Sequence, residues 1–214
     1  MPKPSYLLLA IVLTAQVAEP AAAQSDQQFW RNQWFWGAQA GAFIFSAGGN
    51  QEIGLGVGGH WFITADHTAL NVSFDQLIFT GSQVALGTGQ AVDFSRAQRI
   101  SATVNAMPGS GALRPFIGLG FAIQHVTNSA PQGPFATPQA QTSANLQVEE
   151  LATKAFLILG GGIQWRLVDK WVIFGQYQFQ PSTNDFLITS GQHVIQGGLR
   201  FALTGSKEEV DSTR

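Results

Sequence analysis

From Trp34 onward the chain is written in period two, and that alternation limits it to strands with one apolar face. Trp34, Trp36, Ala38, Ala40, Ala42 and Ile44 alternate with Phe35, Gly37, Gln39, Gly41, Phe43 and Phe45. The same pattern returns in Ile53–Thr64, in 69 to 79, in the lower part of a fourth strand at 99 to 106, and in 114 to 126, 156 to 166, 171 to 180 and 193 to 203. Between these runs lie Gly, Pro, Asn and Asp, the residues that turn a backbone. Eight such strands joined in sequence predict an antiparallel up-and-down sheet that closes on itself.

Which face looks outward decides the solvent. A soluble ligand carrier points its apolar face inward, whereas a membrane barrel points it at lipid. The second face here is assembled from Gly, Ser, Thr, Asn, Gln and a few charges, a poor lining for a fatty ligand. No Asp, Glu, Lys or Arg falls on the apolar phase in the middle of any run, where a charge facing lipid costs about 2 to 4 kcal/mol. Connection lengths also alternate. The turns at 65–68, 107–112 and 168–170 are brief, while 80–93, 127–152 and 181–191 read as longer loops, with 127–152 the longest and without sustained periodicity. Trp34, Trp36, Trp61, Trp165 and Trp171 fall at one end of their strands, with Trp30 just before that level. Indole is favoured where hydrocarbon meets headgroup, so five Trp at one height predict an interfacial girdle.

The ends of the chain fit an exported barrel. Lys3 precedes an apolar run from Tyr6 to Val17, and Ala21, Ala22 and Ala23 supply the small residues of a cleavage site. Residues 1–23 are therefore expected to be a signal peptide, the run being shorter than the roughly 20 residues of a spanning helix. Residues 24–33 form a short periplasmic approach, 34–203 the barrel, and 204–214 a polar periplasmic tail too short for a further domain. A net charge of −2 offers no basic footprint for nucleic acid, and a chain without Cys has neither disulfides nor thiol chemistry.

The last run carries one further pattern: Gln196, Gly198, Phe201 and Leu203. It resembles the terminal signal by which outer-membrane barrels are recognised by their assembly machinery, displaced here from the chain end. Together with Arg114-Pro115-Phe116-Ile117-Gly118-Leu119-Gly120, Gly160-Gly161-Gly162 and Gly198-Leu199-Arg200-Phe201, it makes the chain similar to the small outer-membrane β-barrels of the OmpA/OmpX type. That resemblance implies an eight-stranded transmembrane barrel in the cell outer membrane of a diderm bacterium. It also implies outer-membrane lipid, lipopolysaccharide and the barrel assembly machinery as partners. One chain closes the barrel, so a monomer is expected. The family hosts adhesins, stress-related surface proteins, channels and enzymes, so it leaves the role open.

Several residue groups have both a functional and a purely structural reading. Gly54, Gly56 and Gly59 match a G-x-G-x-x-G spacing, but no helix pattern follows, so they are read as strand glycines. The four His are scattered, and no metal site or cofactor is expected; His60 alone faces the interior mid-strand. Asp75 and Arg99 share the inward phase on neighbouring strands at matched heights, which predicts a buried ion pair. Arg166 and Arg200 also point inward, near the periplasmic rim, where solvent is expected to satisfy them. Tyr177 to Asn184 faintly resembles the segment of lipid A 3-O-deacylases in which a His precedes a Ser by two residues. Ser182 and Asn184 match, but Gln180 stands at the His position and leaves Ser182 without a general base. The expected protein is non-enzymatic and presents surface loops for adhesion, envelope integrity or small-solute passage. The alternatives are a lipid A-modifying enzyme and a soluble periplasmic lipid-binding barrel.

Overall fold

The structure is a computed structural model that describes residues 29–47, 50–86, 90–109, 111–168 and 170–203. The expected signal peptide, the first half of the N-terminal approach (24–28) and the polar tail lie outside the described residues. Eight long strands form the wall: β1 (Trp34–Ala47), β2 (Asn50–Thr64), β3 (Thr68–Ala85), β4 (Ala91–Ala106), β5 (Leu113–Thr127), β7 (Thr153–Val168), β8 (Trp171–Gln180) and β9 (Gln192–Leu203). A two-residue strand, β6 (Ala130–Pro131), adds to β4 above the wall, and one helix, α1 (Pro138–Leu151), lies between β6 and β7. Each wall strand pairs antiparallel with the next, and β9 pairs with β1, so the sheet closes and leaves no edge.

The closure has a definite stagger. Stepping across paired residues from Trp34 leads to Ile63, Leu70, Val104, Leu119, Leu159, Phe179, His193 and then Ile44, ten residues further along β1. Shear of this size tilts the strands by roughly 40°. Ten residues so tilted rise roughly 25 Å, the height of the apolar band of an outer-membrane barrel.

The wall is apolar on the outside. Leu55, Val57, Ile117, Leu119, Phe121, Ile163 and Ile195 are all more than half exposed, while their sequence neighbours are turned inward. In water such a belt would be a severe aggregation liability; against lipid tails it is the expected surface. A soluble carrier would show the reverse polarity, so that alternative is not supported. Among the described residues no helix is long and apolar enough to cross a membrane; here strands do so.

Two loops differ from their expected form. The segment 80–93 is mostly strand: β3 continues to Ala85 and β4 begins at Ala91. The period-two count fails at Phe79 because a register shift between Ile78 and Ser82 sets three residues of β3 against one of β4, with Gly81 at φ 68. Inward positions are odd up to Phe79 and even at Val84 and Leu86. The segment 127–152 is not structureless either, since α1 occupies half of it. Thr137 caps the helix by accepting from the Ala140 amide, and Pro138 opens the first turn. Only Ala144 and Val148 are buried, so its apolar stripe is too thin to show as a helical period.

Candidate functional site in the lumen

The interior is filled in three layers. At the end bearing the longer loops, Phe43, Phe45, Phe79, Phe94 and Phe156 pack with Val148 of α1 and with Phe186, Leu187 and Ile188, which fold inward from the loop after β8. Phe45, Phe79 and Phe94 meet ring to ring at 5.3 to 6.1 Å, and Phe156 meets Phe186 edge-on at 5.1 Å. At the opposite end, Trp30, Phe35, Phe62, Met107, Phe116 and Val172 make a second apolar layer. Trp30 thus lies near the girdle's level but inside the barrel as part of the filling, because the chain before β1 turns into the barrel mouth and buries the indole completely.

Between these layers lies a polar one, and Asp75 is its centre. Asp75 Oδ2 accepts from Arg99 Nη1 at 3.3 Å, and both side chains are wholly buried. Asp75 Oδ1 accepts from Gln39 Nε2 at 2.6 Å and from Gln196 Nε2 at 2.9 Å. Arg99 donates onward, from Nε to Gln180 Oε1 at 2.9 Å and from Nη2 to Gln178 Oε1 at 2.5 Å. Gln180 donates to Gln124, and Gln176 to Gln196. The bonds thus cross the lumen among β1, β3, β4, β5, β8 and β9. A buried ion pair persists only when its remaining donors and acceptors are satisfied, and the glutamines satisfy them. Room for them comes from glycine: a Cβ on Gly58 would strike Asp75 Oδ1 and the Phe74 carbonyl.

Arg200 and His60 form a separate group, so the five inward residues read from the sequence do not make one network. Arg200 lies flat between Phe62 and Phe174, with its guanidinium carbon 3.8 and 4.0 Å from the ring centres. Its Nε donates to His60 Nε2 at 3.0 Å and its Nη1 to Gln164 Oε1 at 2.5 Å. Solvent does not satisfy this arginine, contrary to expectation, because the aromatic layer beneath seals it at 0% exposure. Arg166 does sit at the rim, half-buried, its guanidinium 4.8 Å from the Phe29 ring. Arg114 was missed as an interior residue: it is fully buried, 5.7 Å from the Trp30 ring. Its inward phase, shared with Phe116 and Gly118, was the available signal.

The girdle residues all face outward at the turn end. Trp34, Trp36, Trp61, Trp165 and Trp171 are between 44% and 54% exposed. Trp36 and Trp61 are register partners whose rings meet edge-on at 5.6 Å, and Trp171 packs likewise on Phe201 at 5.1 Å. The terminal pattern divides between faces: Gln196 and Gly198 turn into the lumen, Phe201 and Leu203 join the outer belt. Gly54 and Gly56 face Phe79 and Phe43 inside β2, and Gly59 faces outward, so the G-x-G-x-x-G spacing is a strand feature. Gln180 is committed to Arg99, and Ser182 lies exposed just beyond it.

A closed barrel with a lipid-facing belt, an indole girdle and a packed interior defines a transmembrane β-barrel. No family model matches the chain, and no curated protein matches it. Solved structures do. Neisserial surface protein A is 10% identical with a TM-score of 0.53, the match covering 78% of this chain and 96% of that one. The N-terminal β-barrel domain of OprF from Pseudomonas aeruginosa is 14% identical with a TM-score of 0.50, covering 81% and 98%. At such identities the likeness is one of fold, and the fold is that of the small eight-stranded outer-membrane β-barrels.

Proposed function

We propose that this protein is a non-enzymatic, monomeric barrel of the outer membrane whose task is to hold its longer loops and α1 rigidly at the cell surface, as an adhesive or envelope-stabilising scaffold. The observation that carries the reading is the filled lumen. Two apolar layers enclose a hydrogen-bonded polar layer, and the cavity beside Thr103, Asn105, Gln176 and Gln178 measures about 10 Å³, space for a single water. A pore needs a continuous polar path, which the Phe43 to Ile188 layer interrupts. The same layer ties the loops to the wall: Leu187 N donates to Leu151 O at 3.0 Å and Val126 N to Ala152 O at 2.8 Å. Lipid and lipopolysaccharide would surround the belt, and the pattern from Gln196 to Leu203 would present the chain to the assembly machinery.

Planar-bilayer recording on purified protein tests the closed lumen. The expected result is no stepwise conductance, with heat-modifiable migration showing that the barrel is folded. Regular unitary steps from folded protein would replace the scaffold reading by solute passage. Release of acyl chains from lipopolysaccharide, lost in Ser182→Ala, would instead revive the enzyme.

A further inference from the structure

A cleft of about 380 Å³ opens at the loop end of the barrel between α1 and the end of β5. Its floor is aliphatic: Val126, Val148 and Ala152 are buried and belong to the loop-end apolar layer. Its rim is polar and comes from both walls, with Asn128 and His125 on one side and Asn145 and Glu149 on the other. Nothing has to move to form it. The Val126 amide bonds the Ala152 carbonyl directly beneath, the Asn128 wall is held by the pairing of β6 with β4, and His125 is fixed through Nδ1 to Thr153 Oγ1 at 2.7 Å. A preformed concavity of this size, apolar beneath and hydrogen-bonding at the edge, is the usual build of a small-molecule site.

Its height narrows the ligand. On β5 the outward residue before His125 is Ile123, which is 54% exposed and belongs to the lipid belt. The cleft thus begins where the belt ends, at the level of lipid headgroups. Its lining contains amides, hydroxyls, one imidazole and one carboxylate, and neither Lys nor Arg. Within that lining phosphate or sulfate would meet Glu149 and no cation; Arg96, the register partner of Thr127 on β4, is not part of it. A sugar ring fits this lining, its C–H face against the half-buried Pro131 above the aliphatic floor and its hydroxyls or amine on Asn128, Asn145 and Glu149. We infer that this cleft binds a non-phosphorylated sugar ring, from a glycolipid headgroup of the surrounding leaflet or from free glycan. The inference rests on the outer-membrane reading above.

Saturation-transfer NMR on the full chain in nanodiscs tests it with two probes, a glucosamine disaccharide in solution and the same disaccharide acylated and embedded in the disc. Transfer to the ring protons is expected, and it should be lost in Asn145→Trp, which fills the cleft from an exposed helix position. Transfer only to the acylated probe assigns the site to a headgroup, and equal transfer to both assigns it to free glycan. No transfer to the wild-type chain, or transfer unchanged in Asn145→Trp, overturns the inference. Glu149→Trp serves as the second blocking variant should the first not fold. Heat-modifiable migration of the same samples separates the outcomes: lost transfer with normal migration concerns the cleft, whereas an unshifted wild type would count against the barrel itself.

Discussion

Arg99 and Arg200 are both wholly buried in the same lumen, yet the barrel accommodates them in different ways. Arg99 has a carboxylate, Asp75, and a ring of glutamines that completes the hydrogen bonding of both partners. Arg200 has no carboxylate among its described contacts; it has two aromatic faces, an imidazole and one amide. The first arrangement depends on one residue for its countercharge, while the second divides the work among four. A cation set between ring faces gains from the quadrupole of each, and a planar guanidinium can stack where an ammonium cannot.

That contrast can be broken experimentally. The largest effect is expected from Asp75→Ala, which strands the Arg99 charge and should cost about 3 to 5 kcal/mol in urea unfolding from lipid vesicles. Adding Arg99→Met in that background should recover part of the loss, since the stranded charge is gone while Gln39, Gln178, Gln180 and Gln196 stay without these partners. Gly58→Ala reaches the same centre by setting a methyl against Asp75 Oδ1 and against the Phe74 carbonyl, which cannot yield, for about 1 to 3 kcal/mol in the same assay. Phe174→Leu removes one face from Arg200 and should cost only about 1 to 2 kcal/mol, because Phe62, His60 and Gln164 remain. A Phe174→Leu loss as large as that of Asp75→Ala would show that Arg200 also hangs on one partner. The smallest effect is set by Gly175→Ala, which faces outward into open space and should stay within about 0.5 kcal/mol.

How much of this was legible beforehand follows the same division. Asp75 and Arg99 could be paired from the sequence because both lie on unbroken period-two runs when counted from the periplasmic ends of their strands, on the near side of the bulge. The two apolar layers were not foreseen, since Phe43, Phe94 and Phe156 stand on the inward phase among glycines and glutamines and look like exceptions to it. Above Phe79 the phase itself changes at the bulge, so counting from below assigns the wrong face. The burial of Arg200 depends on Phe62 and Phe174, which are distant in sequence and converge only on closure. The helix α1 rests on a cap and two buried side chains, too few to mark a period.

The closing seam joins the first wall strand to the last, from Trp34 beside Leu203 to Ile44 beside His193. These contacts are among the most distant in the chain, so their closure carries the largest entropic cost in the wall. Until β9 arrives, β8 and β1 both present unpaired backbone, and an open edge is a template for other strands. Loss of the final strand would therefore create two sticky borders instead of a slightly smaller cylinder. The intermediate most in need of shielding is the nearly complete one, held open at a single slot.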